Sequence, residues 1–186
     1  MTFANLITLL RIVLIPLFVS LLFYQKFGWA LLTFLIAGVS DGIDGAIART
    51  FNQSSELGKI LDPIADKLLM TTAFIVLSLP TIISGENLPV PFWLTAAVIA
   101  RDVLIVSVAG AIFVATSFRG FRPSFWGKVS TLVQVFGVGL ILVAAAFQQL
   151  AFYLPLVYFA IFLLTAISGI HYIFFVNKLI RQQNQK

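Results

Sequence analysis

The chain has 186 residues, 60% of them hydrophobic and only 10% charged, against about 45–50% and about 25% in soluble domains, a balance that points to a bilayer and excludes an ordinary soluble core. The absence of cysteine excludes disulfides, thiolate metal sites and cysteine nucleophiles, and the single histidine, His171, excludes any site needing two imidazoles, so a metal here must sit on oxygen ligands. Twelve Lys and Arg against seven Asp and Glu make the chain basic, and in so apolar a sequence that excess is a topology signal and an attraction to anionic headgroups, with no nucleic-acid partner implied.

A bilayer-spanning helix needs ~20 mostly apolar residues. Six such stretches occur in chain order, predicting helices at 4–24, 28–49, 62–83, 91–118, 125–149 and 152–176. The expected fold is all-α, an integral membrane bundle of six transmembrane helices forming one domain over 1–186. The first stretch differs from a cleavable signal peptide, since no basic region precedes it and Arg11 lies inside it. The breaks carry turn chemistry, at Gln25 to Gly28, Asn52 to Gly58, Ser84 to Pro91, Arg119 to Ser124 and Gln148 to Gln149, and the polar tail Asn177 to Lys186 is expected to fray.

With the N-terminus in the cytoplasm, Arg49, Lys59, Arg119, Arg122, Lys128, Lys178, Arg181 and Lys186 fall on that side and only Lys26 falls outside, an eight-to-one positive-inside signal that puts both termini in the cytoplasm. Arg11, Lys67 and Arg101 fall within the spans, as do Asp41, Asp44, Asp62, Asp66 and Asp102, and charges at that depth face a polar cavity by default.

Four of those acids crowd into one stretch. Asp41 and Asp44 are spaced i,i+3 near the end of the second helix, and Asp62 and Asp66 are spaced i,i+4 near the start of the third, so each pair shares a helix face. A short connection makes the two helices antiparallel and allows the faces to meet, and four carboxylates in a low dielectric require a cation. Hard oxygen ligands suit Mg2+, Mn2+ or Ca2+, and phosphate chemistry favours Mg2+ or Mn2+. A carboxylate free to accept a hydroxyl proton completes such a site, and Asp66, deepest along the third helix, is the candidate base. Gly42, Gly45 and Ala48 permit close approach of a base or phosphate, or close helix packing. Arg49 can pair with a phosphate or complement the helix dipole, and Asp62-Pro63 also has the form of an N-cap with proline at the first helical position.

The run Asp41, Asp44-Gly45, Ala48-Arg49, Gly58, Asp62, Asp66, eight residues at fixed spacing, resembles the signature of the CDP-alcohol phosphatidyltransferase family at every position, and a weaker resemblance extends from Asn5 to about Tyr172. The resemblance implies a six-helix bundle, a homodimer, and transfer of a phosphatidyl group from CDP-diacylglycerol to an alcohol with release of CMP. Carried over position by position, it implies metal ligation by Asp41, Asp44, Asp62 and Asp66, general-base action by Asp66, and seating of the CDP moiety by Asp44, Gly45, Ala48, Arg49 and Gly58. Location in a bacterial inner membrane with a cytoplasmic active site goes with it.

Arg101, Arg119, Arg122 and Lys128 are the cations available to an acceptor phosphate, pointing to a phosphorylated or phosphodiester acceptor; topology accounts equally well for the loop cations, and Arg101 beside Asp102 also fits a structural ion pair between neighbouring helices. The Asn5 to Phe18 run and the core motif are similar to bacterial phosphatidylglycerophosphate synthases. Leu88-Pro89-Val90-Pro91, Arg101-Asp102-Val103 and Arg122-Pro123-Ser124 through Lys128-Val129-Ser130-Thr131 are nearer to mitochondrial-type cardiolipin synthases, which favours phosphatidylglycerol over glycerol 3-phosphate as acceptor. A small ion or proton transporter is the reading outside enzymology, but its acids would be expected in two related halves, and here the second half has no counterpart. His171, near the end of the sixth helix, fits an interfacial packing residue better than a catalyst.

Overall fold

The computed structural model describes the backbone of residues 3–51, 56–85, 87–116 and 125–183, and the side chains of 9–40, 65, 67–85, 87–108 and 125–174. These residues form six α-helices and one 3-10 helix: α1 Phe3–Phe23, α2 Phe27–Phe51, α3 Glu56–Leu77, α4 Phe92–Thr116, α5 Phe125–Ala146, the 3-10 helix Gln148–Tyr153, and α6 Leu154–Gln183. The all-α expectation therefore holds. Among the described residues, two segments, Phe125–Ala146 and Gln148–Phe174, are long and apolar enough to cross a membrane, while Leu9–Phe23, Phe27–Ser40 and Lys67–Leu77 are shorter apolar runs.

Helix ends depart from the sequence expectation in three places. Asp62 is not an N-cap, because α3 begins at Glu56, a residue expected in a loop, and Pro63 lies inside the helix. Proline there forgoes one backbone bond, a loss that apolar helices tolerate when neighbours re-satisfy the freed group. At its other end α3 stops at Leu77 instead of running to residue 83, since Pro80 cannot donate and the last amides tighten, Ser78 N reaching both Phe74 O and Ile75 O and Leu79 N reaching Val76 O. The third departure is α6, which continues to Gln183 through the expected fraying tail.

The chain divides into two packed units, Met1–Val90 with Val138–Leu154, and Pro91–Gly137 with Pro155–Lys186. In the first, α1 lies against both α2 and α3, which also touch each other. Phe18 of α1 and Phe34 of α2, both buried, meet with ring centroids 5.9 Å apart. The turn after α3 is tied down by Val90 N donating to Leu77 O at 3.0 Å and by Asn87 Nδ2 donating to Ala151 O at 3.2 Å. In the second unit, Trp93 of α4 packs edge-on against Phe162 of α6 at 5.3 Å, and α5 approaches α6 closely at Gly137.

Polarity is distributed inside out. Arg11, Arg101, Asp102, Ser130, Gln134, Thr165 and Ser168 are buried, whereas Leu35, Phe92, Phe136, Leu156, Phe159 and Phe174 are among many large apolar side chains left exposed. A water-soluble monomer rarely exposes so many large apolar side chains. Hydroxyls within the helices satisfy themselves locally, Ser20 Oγ donating to Pro16 O, Thr33 Oγ1 to Trp29 O and Ser40 Oγ to Ile36 O, as an apolar surrounding requires.

Candidate active site

The helices place the acids. On α2 the buried positions among the described side chains are Ala30, Thr33, Phe34 and Ala37. Asp41 and Asp44 follow on the same helix, about one and two turns beyond Ala37. On α3 the described buried stripe is Ala65, Leu69, Met70, Ala73 and Leu77, and Asp62 and Asp66 belong to the same helix. The two acid pairs thus lie on helices that touch each other and share α1 as a neighbour.

The side chains of Asp41, Asp44, Gly45, Ala48, Arg49, Gly58, Asp62 and Asp66 lie outside the described residues, as do Arg119 and Arg122 entirely. Among the described side chains no group of three or more His, Cys, Asp or Glu is gathered as a metal site.

Arg11 was legible in the sequence as a cation within an apolar span but had no role there. It is only 2% exposed, and its Nε donates to Ala37 O at 3.4 Å. Ala37 precedes Asp41 by about one turn, so a buried positive charge stands beside the acid-bearing end of α2.

The second unit holds a separate buried polar cluster. Arg101 Nη1 pairs with Asp102 Oδ1 at 2.7 Å, an ion pair within one helix turn, not between helices. Its Nε and Nη2 both donate to Ser168 Oγ, at 3.2 and 2.6 Å, and Nη2 also reaches Gly127 O at 3.4 Å. Nearby, Gln134 Nε2 donates to Ser130 Oγ at 3.4 Å and to Thr165 Oγ1 at 3.1 Å, and Tyr172 OH donates to Ile105 O at 3.2 Å. Lys128 is exposed in the first turn of α5, and His171 is exposed on α6. Gln134, Thr165 and Ser168 were not singled out from sequence, and Ser130 and Tyr172 entered only through the resemblance, with no role. Their signal was available, because Thr165, Ser168 and Tyr172 share the spacing of buried Leu154, Tyr158 and Ile161 at alternating steps of four and three.

The chain matches the family described as CDP-alcohol phosphatidyltransferase over residues 1–177. It belongs to that family. The match takes in helices of both packed units, and the activity is that of an enzyme of phospholipid synthesis that uses CDP-diacylglycerol and an alcohol acceptor. Similar proteins include a Mycobacterium tuberculosis protein named "Probable phosphatidylglycerophosphate synthase", 34% identical over 179 residues, covering 91% of this chain and 79% of that one. The CDP-diacylglycerol–glycerol-3-phosphate 3-phosphatidyltransferase of Blochmanniella floridana is 30% identical over 185 residues, covering 97% and 93%. The CMP-forming cardiolipin synthase of Rattus norvegicus is 32% identical over 197 residues, covering 97% of this chain and 63% of its own length. Relatives of this phosphatidyltransferase thus fall on both sides of the acceptor question.

Proposed function

We propose that this phosphatidyltransferase transfers the phosphatidyl group of CDP-diacylglycerol to phosphatidylglycerol, forming cardiolipin and CMP, in a membrane-spanning six-helix bundle that works as a homodimer with its active site on the cytoplasmic face. The observation that supports the site is that Asp41 and Asp44 belong to α2 and Asp62 and Asp66 to α3, two helices that touch each other and pack on α1. Four carboxylates so placed fit a hard divalent cation, Mg2+ or Mn2+, whose bound charge would offset that on the pyrophosphate. The same carboxylates are the residues that would hold it. Asp66 takes the proton of the acceptor hydroxyl, whose oxygen forms a bond to the phosphorus bearing diacylglycerol while the bond from that phosphorus to the CMP oxygen breaks. Gly45, Ala48 and Gly58 leave room for the nucleotide beside α2 and α3, and Arg49 pairs with its phosphate.

Membrane insertion is supported by the apolar exterior, the two long apolar helices and the buried cations. For the acceptor, Arg119, Arg122 and Lys128 supply positive charge for a phosphodiester, and the Arg101-Asp102-Val103 and Arg122-Pro123-Ser124 resemblances favour phosphatidylglycerol. Glycerol 3-phosphate is the second reading, favoured by the likeness to the Mycobacterium tuberculosis and Blochmanniella proteins. Incubation of the purified protein with CDP-diacylglycerol and each acceptor, followed by identification of the lipid products, decides between them. Cardiolipin and CMP are expected from phosphatidylglycerol, with loss of both on chelation. Product from glycerol 3-phosphate alone transfers the assignment to phosphatidylglycerophosphate synthase, and full turnover in metal-free buffer removes the metal.

A further inference from the structure

Arg101 is the one acceptor-site candidate whose guanidinium is both buried and described, and its contacts give it a different task. Nε, Nη1 and Nη2 all point at protein groups: Ser168 Oγ on α6, Asp102 Oδ1 on α4 and Gly127 O on α5. The Gly127 carbonyl belongs to the peptide unit that ends at the nitrogen of Lys128, and Thr131 Oγ1 donates to the same oxygen at 3.1 Å. Holding that carbonyl therefore holds the backbone from which the exposed Lys128 side chain extends. The peptide lies in the first turn of α5, the end of a helix where fraying is otherwise greatest. Ser168 is fully buried and is the group that accepts from two nitrogens of the fork, so it sets the plane of the guanidinium and hence the direction of the Nη2 bond to Gly127.

We propose that Ser168 is a positioning residue for the acceptor site, acting through Arg101 and the Gly127 carbonyl on Lys128, so that Arg101 braces the site and does not touch the acceptor. This rests on the reading that Lys128 contacts the acceptor phosphate. It adds to that reading a residue on α6 and a reason for a buried arginine that is already bonded to protein on all three nitrogens.

The test is a double-mutant cycle in the full-length detergent-purified enzyme, with KM read separately for CDP-diacylglycerol and for the acceptor, using phosphatidylglycerol and, in parallel, glycerol 3-phosphate. Ser168→Ala is expected to raise the acceptor KM about tenfold, the scale of losing a charge-assisted hydrogen bond. The CDP-diacylglycerol KM should stay within about twofold, which also reports that the protein is folded. Arg101→Lys keeps the charge but loses the fork and should reproduce the effect, whereas Ser168→Thr keeps the hydroxyl and should recover most of the affinity. Gly169→Ala is the control on the same helix, since a Cβ there sits 3.8 Å from Arg101 Cγ, an ordinary contact. In a Lys128→Ala background, Ser168→Ala should add little, because both act on one contact. Fold-changes that multiply, or an unchanged acceptor KM in Ser168→Ala while Lys128→Ala raises it, would overturn the positioning role and leave the acceptor reading intact. An unchanged acceptor KM in Lys128→Ala sinks the acceptor reading and the positioning role with it.

Discussion

A guanidinium persists among apolar helices only where its donors are matched, because an ion left alone there carries an uncompensated desolvation penalty. Arg101 meets that condition with Asp102 as its charge partner, both side chains nearly inaccessible at 6% and 12% exposure. Asp102→Ala should therefore destabilise the protein by ~3–5 kcal/mol, the range for breaking a buried pair from one side. Thermal unfolding in detergent checks it, and an unchanged apparent Tm would mean that the pair is solvated. Asp66 is a residue of a different kind, since its proposed work is a proton transfer. Asp66→Asn keeps the shape and loses the base, so kcat should fall by about 10²–10⁴-fold while CDP-diacylglycerol binding persists. Near-normal turnover would assign the base elsewhere. The acid pairs were legible at this scale because helix spacing is a local property. The partners of Arg101 were not, since Ser168 lies 67 residues away along the chain.

Elements meet through the residues that let them approach. Gly137 on α5 faces α6 so closely that a Cβ would lie 2.5 Å from Ile161 Cδ1 and 3.1 Å from Ile161 Cγ1, with Val157 Cγ1 at 3.6 Å. Ile161 is itself buried and has little room to turn away. Gly137→Ala should then cost ~1–3 kcal/mol as an overpacked contact, measured as a lowered apparent Tm. Ile161→Val removes the Cδ1 atom, so the double variant should be more stable than Gly137→Ala alone. Equal stability of the two would place the clash elsewhere. Close helix approach through a small residue is a common device in membrane bundles, and here it joins the two helices that carry the Gln134 to Thr165 bond. The existence of these helices was readable from apolar length. Their ends were less so, because Pro63 was tolerated inside α3 while Pro80 closed it, a distinction that depends on which backbone groups find partners.

On the scale of the whole molecule, an exterior of Leu, Phe and Trp with arginines inside fits a protein surrounded by lipid. The chain contains no cysteine, so single-cysteine variants can map its orientation without a background. Lys26→Cys, in the turn between α1 and α2, should be labelled by a membrane-impermeant maleimide from outside intact cells, and Lys128→Cys only after the membrane is opened. Labelling of both from the same side would overturn the six-span arrangement. In the proposed orientation a soluble CMP product would leave into the cytoplasm.

Apolar length and helical spacing alone pointed to the all-α class and to the paired aspartates, because each operates over a few residues, and the motif from Asp41 to Asp66 resembled the family that the match over residues 1–177 shows. They also set Asp41 and Asp44 in phase with Ala37, and Asp62 and Asp66 in phase with Ala73, before any packing was considered. What only the tertiary structure decided is which faces are buried and which distant groups meet. It put Arg11 against Ala37, and it gave Arg101 to Ser168 and Gly127. Those choices follow from helix packing between remote segments, where a long flexible cation bonds whatever acceptor the neighbouring helix presents, and no local pattern encodes that neighbour.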